Sequence, residues 1–401
     1  MKVLKRISLV LLGIIVLAQL PFVYRRYSTG KLAERIAGLE QSRVTRQSPD
    51  LTEYKGIIHA HTNLGGHSTG SFDELIDAAN ANGLDFVLMT EHYAKNYDSS
   101  ALTLNGQYGK TLFVGGHELV SIVGDRFLTL PGADDAVALH ELQTQPMLDR
   151  LHAGKRVALM AYPEDFKTWG ADIDGVEVFS MNTAAKQANP VTLPLDFLWS
   201  SRANLGLTFA KYFRRPDQNL AAYDQASQKR RMTLFAGTDA HSNLGFFLFG
   251  DDAGHKTLYL KFDRYETIFR VMRMHILMDK AKPLTRENLL DAVRDGRVFT
   301  GVDVLGDTTG FSFVTEGGGP AKTMGDEVTA SADLKMRVDS PQPANVVVYK
   351  NGAKFHDEAA TTGFVFSPDG PGVYRVEAYL TGLGDCCAAI PWVMTNPIYV
   401  R

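Results

Sequence analysis

Three histidines fall in the stretch HAHTNLGGHSTG, His59 to Gly70, directly after the apolar run GII. Three more stand where apolar runs meet polar residues: His92 in TEHY, His117 in GGHEL and His241 in GTDAH. Six of the chain's eleven histidines thus occupy four short places, with Glu118 and Asp239 beside them. Neutral imidazoles and carboxylates form the ligand set of Zn, Mn or Fe. On an extended strand, residues two apart face the same side, so His59 and His61 would aim at one point, and Asp239 and His241 repeat that spacing. A single H-x-H says little, because a lone histidine after a strand is commonly a locally satisfied polar residue. Four such places in one chain argue for a shared metal site. His117 sits beside Glu118 on one strand and must face the opposite way, so a structural role is expected for it. His140, His152, His255, His275 and His356 lack this context and read as surface or core residues.

The elements that must position these groups are legible as alternation. From Leu51, short apolar runs (GIIHA, LDFVLMTEH, LFVGGHELVSI, RVALMAYP, GVEVFS, MTLFAGTDAH) alternate with helix-like segments. Strands alternating with helices imply parallel βαβ units. Ser71 and Glu74 have capping-box spacing and predict a helix start just after the first histidine loop. The pattern fades near Gly301, and residues 302–401 read as short alternating strands separated by Gly, Pro and Asp-Gly turns, a small all-β domain of sandwich type.

The first 26 residues have another origin. A cationic start, MKVLKR, precedes the uncharged run Ile7–Tyr24, which is just long enough to cross a hydrocarbon core as a helix. This predicts a signal anchor, with a cleaved signal peptide as the rival. The body is expected outside the cytoplasm, in a periplasm-like setting. Residues 27–50 are polar, with a faint helical period at Leu32, Ile36 and Leu39, and read as a stalk or linker. The metal-binding part then spans 51–301. A formal charge of -3 supplies no footprint for nucleic acid. Cys386 and Cys387 are adjacent, which excludes a disulfide framework.

The order H-x-H, a third His, a strand ending in an acid-His pair, a G-x-E strand and a late G-[ST]-D-x-H resembles the PHP family, the polymerase and histidinol phosphatase type of metal-dependent hydrolase. The likeness runs from about Tyr54 to Thr300. It implies a distorted seven-stranded β/α barrel with metals at the C-terminal strand ends, and hydrolysis of phosphoesters. It also implies that His59, His61, Glu118 and Asp239 hold one metal, and His67, His92 and His241 another. The tail ending NPIYV is similar to that of the branch containing carbamate and ester hydrolases. Two departures stand out: Tyr162 before Pro163, and Phe127 in GDRFLTL, occupy positions where the family often has histidine. Two divalent ions rather than three are therefore expected.

Such ions would activate water to hydroxide, the nucleophile, so that no protein nucleophile is needed, and no G-x-S-x-G occurs. His59, His61, Glu118, Asp239 and His241 are the residues expected to carry catalysis. Glu177 and Asn182 are candidates for supporting the ligands. Lys211, Arg214, Arg215 and Lys95 are candidates for meeting an anionic substrate, against the more ordinary role of a solvated charged face. Tyr162 is either a proton donor or a packed aromatic. The preferred expectation is a phosphoesterase acting on a small or membrane-proximal substrate. The alternatives are a carbamate, amide or ester hydrolase using the same chemistry, and a membrane-tethered metal-binding protein without catalysis. No partner for the β domain is named by its residues.

Overall fold

The computed structural model describes residues 2–46, 48, 50–200, 203–250, 256–316, 321–384 and 387–401. His255 and Cys386 lie outside the described residues. The chain opens with one continuous helix, α1, Lys2–Gln41, whose apolar window has a mean hydropathy of 2.3 and is buried nowhere against the body. Its second half does the opposite. Thr29 and Leu32 are buried, Arg25 Nε donates to Asp196 Oδ1 at 2.8 Å, and Glu40 Oε1 accepts from Gln342 Nε2 and Asp307 N, each at 2.7 Å. The faint period at Leu32, Ile36 and Leu39 is the stripe of α1 that packs against the body's core.

The strand β1, Leu51–Ala60, is half-exposed at its start and wholly buried from Gly56 onward. Parallel partners follow: Phe86–Met89 beside β1, Thr111–Val114 beside that, and Glu91–His92 beside His117–Val120. Val157–Ala161, Gly175–Ser180 and Thr233–Gly237 continue as parallel neighbours. Arg126–Leu130 is the exception, antiparallel to both of its neighbours. It follows His117–Val120 after five residues, and a connection that short can only return as a hairpin. The last strand meets the first again, through Thr238 N to Ile58 O at 3.1 Å and the bridge of Ala60 with Ala240. Valine, leucine and phenylalanine fill the interior, among them Val87, Phe113, Val176 and Leu234, each contributing about 1.5–3 kcal/mol by burial.

The helix Phe72–Ala81 begins with the capping box that Ser71 and Glu74 foretell, both reciprocal bonds being formed. On the other edge of β1, Arg273–Asp279 and then Val298–Gly301 pair antiparallel. The C-terminal strands Lys335–Lys350, Ala353–Phe366 and Gly372–Leu380 are antiparallel and join this same sheet through Val393–Thr395 beside Val298–Gly301, while Glu327–Val328 pairs parallel with Ile398–Val400. Buried polar groups lock the tail to the body. Arg375 forks onto Asp224 at 2.6 and 2.7 Å, Arg215 forks onto Glu377 at 2.7 and 2.8 Å, and Asn396 bonds both backbone groups of Leu234.

Candidate metal centre

The ligand geometry begins with an irregularity in β1. The register with Phe86–Met89 shifts between Ile58 and Ala60, and His59 adopts φ 69°, left-handed and sparsely populated for a residue with a side chain. Asp239 at φ 47° and Tyr162 at φ 51° share this conformation at the ends of their strands. Strain at three neighbouring strand ends is typical of a functional site. The convergence of His59 with His61, and of Asp239 with His241, is therefore not the simple alternation of a strand. It is made by left-handed turns, cross-linked where Ala240 N donates to His59 O at 3.1 Å and His61 N to Ala240 O at 3.0 Å.

Around this turn the side chains meet. Glu118 Oε2 lies 3.5 Å from His59 Nε2, 3.3 Å from His61 Nε2 and 3.1 Å from His92 Nδ1. Asp239 Oδ1 lies 3.4 Å from each of His59 Nε2 and His61 Nε2. His92 Nε2 faces His241 Nε2 at 3.1 Å. His67 is exposed, its ring 4.2 Å from that of His92 and 4.6 Å from that of His241. Two sets have ligand atoms within 4.8 Å of one another, His59 with His61 and Glu118, and His61 with His92 and His241. His61 belongs to both sets, whereas the resemblance implies that it serves one ion. The cluster is buried at His59 and His61 and opens to solvent at His67.

Partners beyond the cluster set the tautomers. His59 Nδ1 meets Glu177 Oε1 at 2.7 Å, which turns Nε2 toward the two carboxylates. His241 Nδ1 lies 2.9 Å from the carbonyl of Asp239, which leaves Nε2 facing inward. Such outer contacts orient ligating imidazoles. Asp239 Oδ2 accepts from Asn182 Nδ2 at 2.6 Å and from the Tyr162 hydroxyl at 2.5 Å. Glu91, next to His92, accepts from Thr62 and Thr103 and anchors the histidine loop, in which Gly66 supplies the φ of 96° that the reversal needs.

The electrostatics suit a cation. Burial, reinforced by the neighbouring His241 and His92 rings, brings His61 down to about 3 against the pull of Asp239. Burial and the rings of His92 and His241 bring His67 to about 4. Both are neutral at physiological pH, the form in which imidazole ligates. Burial opposes ionisation of Glu118 and Asp239, yet the surrounding histidines hold both well below the usual carboxylate range. Burial likewise opposes charge on His59, but Glu177, Asp239 and Glu118 raise it well above its ordinary value, while burial raises Glu177. His59 Nε2, both ring nitrogens of His61, Glu118 Oε2 and Asp239 Oδ1 are buried without a hydrogen-bond partner. Buried polar atoms are normally satisfied, and four of these, His59 Nε2, His61 Nε2, Glu118 Oε2 and Asp239 Oδ1, face one another across imidazole–carboxylate distances of 3.3–3.5 Å, donor chemistry that fits a divalent ion.

The remaining sequence candidates land elsewhere. His117 faces away, with Nε2 3.1 Å from Asp98 Oδ1. Arg215 is committed to Glu377, Lys211 donates to Thr29 at 3.0 Å, Arg214 bonds backbone carbonyls, and Lys95 is exposed. Among the described residues, Arg126 reaches a ligand of the centre and Lys186 stands beside it over Tyr162. Arg126 Nη1 donates to Glu118 Oε1 at 2.7 Å, and Arg126 and Lys186 lie over the Tyr162 ring at 5.1 and 5.8 Å. Together they line a pocket of about 190 Å³ with Asp165 and Phe166. Arg126 immediately precedes Phe127, one of the two departures from the family pattern, which was the available signal. His275, read as surface or core, is core, held between Glu53 at 2.6 Å and Asp303 at 3.3 Å.

No protein-family model matches the chain, and no curated protein sequence matches it. Among solved structures it is similar to PsfC from Pseudomonas syringae, with 12% identity and a TM-score of 0.35, over 59% of this chain and 88% of that one. It is also similar to a two-domain protein from Bacteroides vulgatus described as containing a predicted PHP-like metal-dependent phosphoesterase, with 12% identity and a TM-score of 0.36, over 88% of this chain and 98% of that one. Neither likeness is close enough to carry chemistry across, and what the centre can do follows from its own atoms.

Proposed function

We propose that the chain is a metal-dependent phosphoesterase, held at a membrane by α1 with its body outside the cytoplasm. The observation that supports it most is the convergence of four buried, unpartnered ligand atoms, one each from His59, His61, Glu118 and Asp239. Leaving such atoms unpaired costs about 1–3 kcal/mol each, and a divalent ion removes the cost. In this reading His59, His61, Glu118 and Asp239 hold one ion of Zn, Mn or Fe type. His92, His241 and His67 hold a second, with His61 in reach of both. When bound, such ions lower the pKa of a coordinated water and polarise a phosphoryl oxygen. The chain's own groups do the rest. Glu177 orients His59, Asn182 and Tyr162 fix Asp239, and Arg126 with Lys186 receives the substrate's anionic oxygens. That positive wall favours a phosphoester over a neutral carbamate or carboxylic ester. The ring of strands in 51–301 is read as the distorted seven-stranded barrel of the family it resembles, and 302–401 as the β-sandwich appended to it. Small-molecule or membrane-proximal phosphoesters, and no nucleic acid, are the proposed substrates.

The test uses the full chain in detergent with nitrophenyl phosphate, bis-nitrophenyl phosphate and nitrophenyl acetate, before and after chelation and re-addition of Mn or Zn. Phosphoester turnover that disappears on chelation and in Asp239→Asn is expected. Turnover of the acetate alone would replace the substrate class, bound metal without turnover would leave a binding protein, and no bound metal after reconstitution would overturn the reading.

A further inference from the structure

Beyond the metal centre, the described residues include an apolar hairpin that begins at Leu244, three residues after His241. Gly245–Phe246 pairs with Leu260–Lys261 and Phe249–Gly250 with Lys256–Thr257. Five of its described side chains are apolar and outward: Leu248 is 72% exposed, Phe249 67% and Leu258 70%, and Phe246 and Phe247 are about half exposed. Isolated exposed leucines are ordinary, but a contiguous aromatic patch marks a surface that meets something apolar. Lys256 lies over the rings of Phe247 and Tyr259 at 4.9 and 4.8 Å, which puts a cation among the aromatics.

The route from this hairpin to α1 identifies the occupant. Phe246 packs edge-on against Phe262 at 5.5 Å, and Phe262 against Phe197 at 5.6 Å. Phe197 belongs to the helix Thr192–Ser200, which packs along α1 in the opposite direction. Its Asp196 meets Arg25, just past the apolar run, and its Trp199 Nε1 donates to Gln19 Oε1 at 3.0 Å. Gln19 lies five residues inside the run that ends at Tyr24, a depth of about 7.5 Å along a helix. A tryptophan held at that depth stands where aromatic belts stand in membrane proteins. The hairpin thus reaches α1 through Phe262, Phe197 and the helix Thr192–Ser200. Its root is tied to the metal loop, because Asn243 Nδ2 donates to His67 O at 2.8 Å.

We infer that the hairpin 244–250 and 256–260 is a second membrane contact, seated in the bilayer that α1 crosses, with Lys256 at the level of the lipid headgroups. This holds the mouth of the metal centre against the membrane surface. The inference rests on reading α1 as a membrane anchor and is independent of the reaction.

The full chain, with Cys386→Ser and Cys387→Ala to remove native thiols, is reconstituted in vesicles of phosphatidylcholine and phosphatidylglycerol. It is spin-labelled singly at Leu12→Cys, Leu248→Cys, Leu258→Cys or Val365→Cys. Collision with oxygen is compared with collision with a water-soluble nickel chelate. Labels at positions 12, 248 and 258 are expected to favour oxygen, and the label at 365, on the exposed strand Ala353–Phe366, the chelate. If positions 248 and 258 behave like 365 while 12 favours oxygen, the inference is wrong and the anchor stands. If 12 also favours the chelate, the anchor reading falls and the inference with it. Labels at 248 and 258 shielded from both reagents would overturn it too. Spin–spin broadening would then assign the patch to a second copy of the chain, and its absence to a protein cover.

Discussion

A methyl group on Gly237 should disable the centre without replacing a ligand. This glycine ends the strand Thr233–Gly237, and a Cβ built there overlaps Glu177 Oε1 and comes within 2.9 Å of Glu177 Cδ and 3.0 Å of His59 Cβ. Glu177 must move, and its 2.7 Å contact with His59 Nδ1 is lost. Overpacking in a dense interior costs about 1–3 kcal/mol of stability. Losing the group that orients a ligating imidazole costs about 10–100-fold in metal affinity, or about 1.4–2.8 kcal/mol. Gly237→Ala is therefore expected to bind Zn or Mn that much more weakly than the wild type, measured by calorimetric titration of the chelator-treated full chain. Glu177→Ala should lose the same affinity without the overpacking. In the double variant Gly237→Ala/Glu177→Ala the overlap with Glu177 is gone and only the 3.0 Å approach to His59 Cβ is left, so stability should return toward that of Glu177→Ala while affinity falls no further. Wild-type affinity in Gly237→Ala would refute the claim that the His59–Glu177 contact organises the centre. Strictly additive losses in the double variant would refute the claim that both substitutions act through it.

Three other outcomes are expected. Arg126→Ala removes a charged hydrogen-bond donor worth about 1.5–3 kcal/mol, so kcat/KM for a phosphomonoester should fall about 10–100-fold with bound metal unchanged by elemental analysis. Saturating a metal-stripped sample at about 100 times Kd should raise unfolding stability by about 2.7 kcal/mol, seen as a higher Tm that chelator reverses. His275 is fully buried. Burial opposes its charge, but Asp303 and Glu53 raise it to about 9, and Arg273 faces Asp303 from the same strand. Because the folded value is above the unfolded value of about 6.5, its contribution is complete below pH 6.5 and is lost as pH rises through 9. The stability advantage of the wild type over His275→Gln should shrink by about 3 kcal/mol between about pH 6 and about pH 9.5, followed by circular dichroism, and a pH-independent difference would refute the assignment.

Much of the layout is local and was readable from short windows. Strand and helix alternation shows as hydrophobic period, the start at Ser71 as side-chain capping, and α1 as an uncharged run longer than a turn-broken segment allows. His59, His61, His92 and Asp239 could be grouped because imidazole and carboxylate are rare at several strand ends unless they share a task, and Glu118 joined them only through the family resemblance. The antiparallel strand Arg126–Leu130 was less legible, since its direction depends on the length of one connection. The candidates Lys211, Arg214 and Arg215 were misleading for a related reason. A cation's role depends on its nearest acceptor, and Arg215 found Glu377, 162 residues away in sequence.

By itself the sequence determined which donor atoms exist, the order in which the strand ends deliver them, and that an apolar helix precedes them, because backbone period and side-chain chemistry are properties of neighbours along the chain. The tertiary structure alone decided that His61 stands between both ligand sets, that left-handed turns at His59 and Asp239 make the convergence, and that Arg126 takes the free oxygen of Glu118. It also decided that Trp199 meets Gln19. These are contacts between residues far apart in the chain, and no short stretch contains the distances that create them.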